Sequence, residues 1–345
     1  MTESNSRFLK ACRGEEVDCT PIWFMRQAGR YMQEYLKLRE NHTLLELCTR
    51  PDLAKEVTLQ PIRRFDLDAA IVFADILLPL KSMGVGFDFV KGKGPVIHQP
   101  IRSPEDVEKL HAGDPEEDLK CVLETLGLVR SELDPKIALI GFAGAPFTVA
   151  SYMIEGGYSR NFLHTKRLMY SHPEAWQSLM ETTSEIMARY LTAQIEAGAQ
   201  AIQLFDSWVG CLEPEDYRRY VLPYSQKIFA RLKPYSVPLI HFGTGTATLL
   251  ELMKEAGGTV MGVDWRISLK EARSRLGSNT PIQGNLDPVA LFAPPTFLEE
   301  KVDQVLEQAD GRPGHIFNLG HGILPETPVE NVEAVVQWVH AKSKR

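Results

Sequence analysis

The chain has 345 residues, with 45 acidic against 38 basic side chains and a net charge of −7. That balance excludes a general nucleic-acid-binding surface, although it leaves room for a local basic pocket. At 44% hydrophobic and 24% charged, the chain has enough apolar material for a large buried core.

The amino-terminal stretch MTESNSRFLKACRG lacks the apolar segment of a secretory signal. No apolar run reaches membrane-spanning length, so a cytoplasmic location and no membrane partner are expected. Cys12, Cys19, Cys48, Cys121 and Cys211 are scattered without a C-x-x-C pair. That is the pattern of reduced thiols, with neither a disulfide framework nor a zinc site.

Eight short β-branched or apolar runs follow one another: CTPIWF (19–24), AAIVFA (69–74), IALIGF (137–142), QAIQLF (200–205), VPLIHF (237–242), TVMGVD (259–264), TPIQGN (280–285) and HIFNLG (315–320). Stretches of helical periodicity separate them. The segment 173–199 starts at Pro173 and ends near Gly198, and 246–258 ends on a glycine pair. Residues 84–136 are rich in Gly, Pro and acidic side chains and predict an insertion after the second strand, a small hairpin followed by helices. Strand alternating with helix predicts a parallel sheet, and eight strands is the number that closes a (β/α)8 TIM barrel. With no linker or change of composition, one domain over 1–345 is expected.

A barrel of this kind gathers its chemistry beyond the C-terminal ends of its strands. The residues there are Arg26 and Arg30, then Asp75, Tyr152, Asp206 with Ser207, His241, Asp264, Asn285 with Asp287, and His321. If a helix starts after the first run, a spacing of four puts Arg26 and Arg30 on one face. Backbone amides of Gln27, Ala28 and Gly29 would add anion contacts, and the small side chains would let a ligand come close. Lys37 and Arg39 continue the positive trend. The competing reading is a solvated basic turn that pairs with Glu34 or Glu40.

Asp75 is the lone carboxylate of an apolar run, hence paired, functional, or an N-cap for Ile76–Leu78. His321, between two glycines, is an acid/base, a donor to a carboxylate, or a loop histidine bonded to backbone. Tyr152 and Ser207 carry no signal by themselves. GTGT, the following helix and Asp264 imitate a dinucleotide fingerprint, but Thr248 stands in the place of its third glycine and Asp264 ends the next strand. No metal-ligand spacing is present.

In chain order, PIWFMRQAGRYMQEY, LDAAIVFADIL, KGKGP, IGFAGAPFTVASYMIEGG, GAQAIQLFDSW, GVDWR, IQGNLDP and NLGHGILP closely resemble the uroporphyrinogen decarboxylase family, from about residue 7 to the C-terminus. The resemblance implies a homodimeric barrel enzyme of haem and chlorophyll biosynthesis, a carboxy-lyase. It would convert the four acetate side chains of uroporphyrinogen III to methyls, giving coproporphyrinogen III and carbon dioxide, with neither metal nor organic cofactor. It makes Asp75 the catalytic group, accepting the pyrrole N–H donors and stabilising the protonated ring. Arg26 and Arg30 would bind substrate carboxylates, with Gln27, Ala28 and Gly29 lining the same wall. Arg39, Tyr152, Ser207 and His321 match further substrate-contacting positions of the family.

Two rivals stand beside it. One is a zinc- and cobalamin-dependent methyltransferase on the same fold. Against it, Gly243 occupies the place where an H-x-C ligand pair after His241 needs cysteine, and NLGHG contains none. The other is a non-catalytic tetrapyrrole-binding protein, which only experiment separates.

Overall fold

The computed structural model describes residues 6–90 and 92–345. Lys91 of the KGKGP stretch and the first five residues of the amino-terminal stretch lie outside the described residues. The strands are β1 (Ala69–Ile71), β2 (Phe87–Val90), β3 (Gly94–Ile97), β4 (Ala138–Gly144), β5 (Ala201–Asp206), β6 (Leu239–Gly243), β7 (Val260–Gly262), β8 (Ile282–Gln283) and β9 (His315–Ile316). Seven of them form one curled sheet in the order β1-β4-β5-β6-β7-β8-β9. All six pairings are parallel. Helices join successive strands, which makes the fold an α/β barrel. Between β1 and β4, β2 and β3 pair as an antiparallel hairpin, and the helices Pro104–Val107, Pro115–Asp118 and Lys120–Glu132 follow it.

The expected first strand at 19–24 is not a ladder strand. The Ile22 amide donates to the Asp68 side chain at 2.7 Å, not to a neighbouring backbone carbonyl. What remains is an extended segment with one parallel bridge, Ile22 to Phe317. It still closes the sheet. Phe317 N donates to Pro21 O at 2.8 Å on one side, and Asp68 N donates to Ile22 O at 2.9 Å on the other.

Alternation along the strands divides the apolar side chains into two layers. The inward set includes Trp23, Ala69, Ala138, Ile140, Ala201, Ile240, Val260 and Ile316. Phe8, Leu9, Ala11 and Cys12 of the helix Arg7–Cys12 cluster with them and seal the base. Across the interior, Trp23 Nε1 donates to Gln283 Oε1 and Gln283 Nε2 donates to Gln203 Oε1, both at 3.0 Å. The outward set packs beneath the helices.

The longest helix is Pro173–Glu196, with proline in its first turn and Gly198 at φ 117° just beyond its end. Trp176 is wholly buried on it, and truncating such a side chain to alanine costs about 3–5 kcal/mol. From the same helix, Gln194 Oε1 accepts from Phe142 N at 2.8 Å and its Nε2 donates to Phe142 O at 2.9 Å. A β-carbon on Gly141 would stand 2.5 Å from Gln194 Oε1, so the grip needs glycine there. The stretch 246–258 is helical only over Leu250–Glu255. The Gly245 N–H, which a phosphate would require, donates to Asp264 Oδ2 at 2.7 Å. The dinucleotide-like spacing is thus a tie between two adjacent loops.

Candidate active site

At the C-terminal ends of the strands lies an open cavity, about 800 Å³ when the solvent at its mouth is included. Its floor is aromatic. Phe142 of β4, Phe205 of β5 and Phe242 of β6 line it, with ring centroids 5.5 Å and 5.9 Å apart in edge-to-face contact. These rings escaped notice in the sequence, although three successive runs (IGF, QLF, IHF) end in phenylalanine. Ile71, Val72, Phe73 and Ile76 extend the apolar surface.

Asp75 lies just past β1 in this wall. Its Oδ1 accepts from Leu77 N–H at 2.9 Å, the local turn that aspartate side chains favour. The other oxygen accepts no hydrogen bond among the described residues. The expected N-cap is thus a local turn that uses one oxygen only, and the helix beyond it, Leu78–Met83, begins after Leu77. Burial lifts its pKa above the ordinary value, while the Leu77 N–H and the charge of Arg26 pull the other way.

No helix follows the first run. Arg26 is left-handed at φ 60°, Gln27 N donates to Phe24 O, and the next helix begins only at Gln33. The shared helical face of Arg26 and Arg30 and the row of free helix N-terminal amides are therefore not formed. Arg26 lines the cavity with Gln27 and Ala28, whereas Arg30 and Gly29 lie outside its wall. The Gln27 side chain is committed to the fold, accepting from Phe24 N and donating to Ala69 O, both at 3.1 Å. It shapes the wall by pinning the loop to β1.

Among the described residues, Arg26, Arg30 and Arg39 form no ion pair. Of the two partners that the competing basic-turn reading offered, Glu34 pairs instead with Arg64 at 2.6 Å, and Glu40 makes no ion pair among the described residues. Arg39 donates to the His42 carbonyl and lines a separate depression with Asp88 and Phe89.

His321 faces the cavity beside Phe242, with ring centroids 6.4 Å apart. Its Nδ1 accepts from Gly322 N–H at 2.7 Å, so in the neutral ring the proton sits on Nε2. Burial first, and then the charge of Arg26, pull its pKa down to about 4. At neutral pH it is an uncharged N–H donor.

Ser207, immediately after β5, also lines the cavity. Tyr152, on the helix Pro146–Glu155, stands behind the wall with its ring 5.7 Å from Trp208. Burial and the Asp75 charge push its pKa up to about 12. Trp208, which sequence reasoning missed, also packs against Tyr158 and Phe162.

The other rim candidates are structural. Asn285 Nδ2 donates to Asp264 O at 2.9 Å, and Asp287 caps a turn by accepting from Val289 N. Asp206 and His241 point outward, away from the cavity, in alternation with Phe205 and Phe242. Among the described residues, no three His, Cys, Asp or Glu side chains are grouped as a metal ion would need, and no helix is long and apolar enough to cross a membrane.

A family model described as uroporphyrinogen decarboxylase (URO-D) matches residues 3–342. A uroporphyrinogen decarboxylase of Sorangium cellulosum is 58% identical over 337 residues, covering 98% of this chain and 96% of that protein. One from Carboxydothermus hydrogenoformans is 56% identical over 339 residues, covering 98% and 97%. Among solved structures, a methyltransferase from Methanosarcina mazei superimposes with a TM-score of 0.79 at 21% identity, covering 97% of this chain and 98% of that one. That likeness concerns the fold.

Proposed function

Because the chain belongs to the uroporphyrinogen decarboxylase family, we propose that it removes the four acetate carboxyls of uroporphyrinogen III, leaving methyl groups and releasing carbon dioxide. The observation that carries the mechanism is Asp75. It is the one carboxylate of the basin, with one oxygen committed to Leu77 N–H, set among mostly aromatic and aliphatic side chains with Arg26, Gln27, Ser207 and His321 as the other polar groups.

Breaking the bond between an acetate methylene and its carboxylate leaves an electron pair that needs a sink. A pyrrole protonated at a ring carbon is cationic and imine-like, and it accepts that pair. The resulting exocyclic methylene then takes a second proton to become the methyl, and the ring carbon gives up the first. Each turn consumes one proton and releases one carbon dioxide.

The protein has to hold the ring and stabilise its positive charge. Asp75 does both: its free oxygen accepts the pyrrole N–H groups, and its charge opposes that of the protonated ring. The phenylalanine floor matches the apolar face of the macrocycle. Arg26 takes a substrate carboxylate at the edge, with planar two-point geometry. His321 Nε2–H donates to another, and Ser207 and Tyr152 serve the same side. Arg30 and Arg39, without carboxylate partners among the described residues, take the more peripheral carboxylates. The scheme calls on no metal or organic cofactor.

The family reading also supports one catalytic domain over residues 1–345, working as a cytoplasmic homodimer. Sedimentation should give twice the 38.8 kDa chain mass. The activity itself is tested by incubation with chemically reduced uroporphyrinogen and separation of products by carboxyl number. A ladder from seven to four carboxyls is expected, and an unchanged octacarboxylate would refute the reading.

A further inference from the structure

Asp206 is the last residue of β5, and its side chain is wholly buried on the outer side of the sheet. Its Oδ1 accepts from Thr148 Oγ1 at 3.0 Å. Its Oδ2 has no hydrogen-bond partner among the described residues and stands 3.8 Å from His241 Nε2, which is buried and equally unpartnered. A buried carboxylate held by a single neutral hydroxyl is an expensive arrangement, which apolar side chains of similar size would avoid. An orphaned buried group in a native fold calls for a reason beyond packing.

The reason lies in what Thr148 joins. Its hydroxyl donates to Asp206 and accepts from Trp208 N–H at 3.2 Å. Thr148 precedes Tyr152 by one turn on the helix Pro146–Glu155, so both lie on one helical face. Ser207 sits between Asp206 and Trp208 in the chain. One hydroxyl thus fastens the helix that carries Tyr152 to the turn that carries Ser207 and Trp208. Asp206 keeps that hydroxyl pointed, because a charged acceptor binds a donor more firmly than a neutral one does.

We propose that Thr148 and Asp206 are positioning residues for the decarboxylation. They fix Tyr152 and Ser207 relative to each other on one side of the cavity and touch no substrate themselves. The inference rests on the reading that Tyr152 and Ser207 contact the macrocycle.

Thr148→Val tests it, since it keeps the shape and removes both hydrogen bonds. The variant leaves the Asp206 carboxylate and the Trp208 N–H unpaired, so it is expected to melt lower than the parent, and, assayed where it is folded, to lose about tenfold in kcat/KM on uroporphyrinogen. Thr148→Ser should restore most of the loss. In a Tyr152→Phe/Ser207→Ala background, Thr148→Val should cost little more, because the groups it positions are already gone.

Native turnover by Thr148→Val overturns the proposal, and so does an undiminished penalty in the double-variant background. If Thr148→Val does not fold, Asp206→Asn carries the test by keeping the shape while removing the charged acceptor. It should lower kcat/KM, and wild-type turnover would overturn the proposal. A wild-type protein that leaves uroporphyrinogen unchanged defeats the substrate reading and this inference together. An active wild type with an indifferent Thr148→Val defeats the positioning role alone.

Discussion

Gly322 lies directly against the side-chain stem of Arg26: a β-carbon there would sit 2.5 Å from Cδ and 2.7 Å from Cγ. The overlap is with a flexible side chain, so Gly322→Ala is expected to move Arg26 and leave the fold intact. Losing one charged contact to the substrate should raise KM for uroporphyrinogen about tenfold with little change in kcat. Steady-state kinetics decide this. An unchanged KM would remove Arg26 from substrate binding.

The acid side of the kcat/KM profile should report Asp75. Burial holds its carboxyl above the ordinary 3.8, and only the charged form can stabilise the protonated ring. Arg26 lowers that pKa, so Arg26→Gln should move the acid limb to higher pH. His321, lowered to about 4, is already neutral where the enzyme works. His321→Gln should therefore reduce the rate while leaving the limb in place. An acid limb that shifts to lower pH in Arg26→Gln would contradict this assignment.

His340 couples stability to pH at the other end of the barrel. Its Nε2 donates to Asp68 Oδ2 at 2.9 Å, and Asp66 stands 3.4 Å from Nδ1. Burial opposes its charge, but the hydrogen bond and charge of Asp68, with Asp66, outweigh that and raise its pKa above 6.5. A raised histidine pKa means stability that is complete below the unfolded value and lost as pH rises through the folded one. Urea unfolding should show His340→Gln about 2 kcal/mol less stable below pH 6.5, with the gap narrowing well above it. A gap that widens with pH would reverse the sign and refute the coupling.

The alternation of strand and helix was legible because apolar runs and helical periodicity are local patterns. The first strand was misjudged for a distant reason. Asp68, remote in sequence, claims the Ile22 amide, and nothing in CTPIWF announces it. MRQAGRY reads as a helix start from its arginine spacing, yet Arg26 turns left-handed and Gln27 reaches across to Ala69, which only the assembled barrel dictates. The aromatic floor was readable from the phenylalanines that close three runs. The Thr148–Asp206 tie joins two segments far apart in the chain and could be recognised only in space.

Asp75→Asn should separate function from stability. The amide oxygen can still accept from Leu77 N–H, so the turn survives. A carboxyl with a raised folded-state pKa costs stability once it is ionised. That penalty is absent below the unfolded value near 3.8 and complete above the folded one. The variant should accordingly melt at or above the wild-type temperature at neutral pH, with the difference vanishing in acid. A markedly lower melting temperature at neutral pH would show that the charge serves the fold.

Turnover of Asp75→Asn on reduced uroporphyrinogen, measured beside the wild type with products separated by carboxyl number, tests the mechanism most directly. Asp75 as the stabiliser of the protonated pyrrole predicts a folded protein whose rate falls roughly a thousandfold or more. A folded Asp75→Asn that forms coproporphyrinogen at the native rate would contradict it.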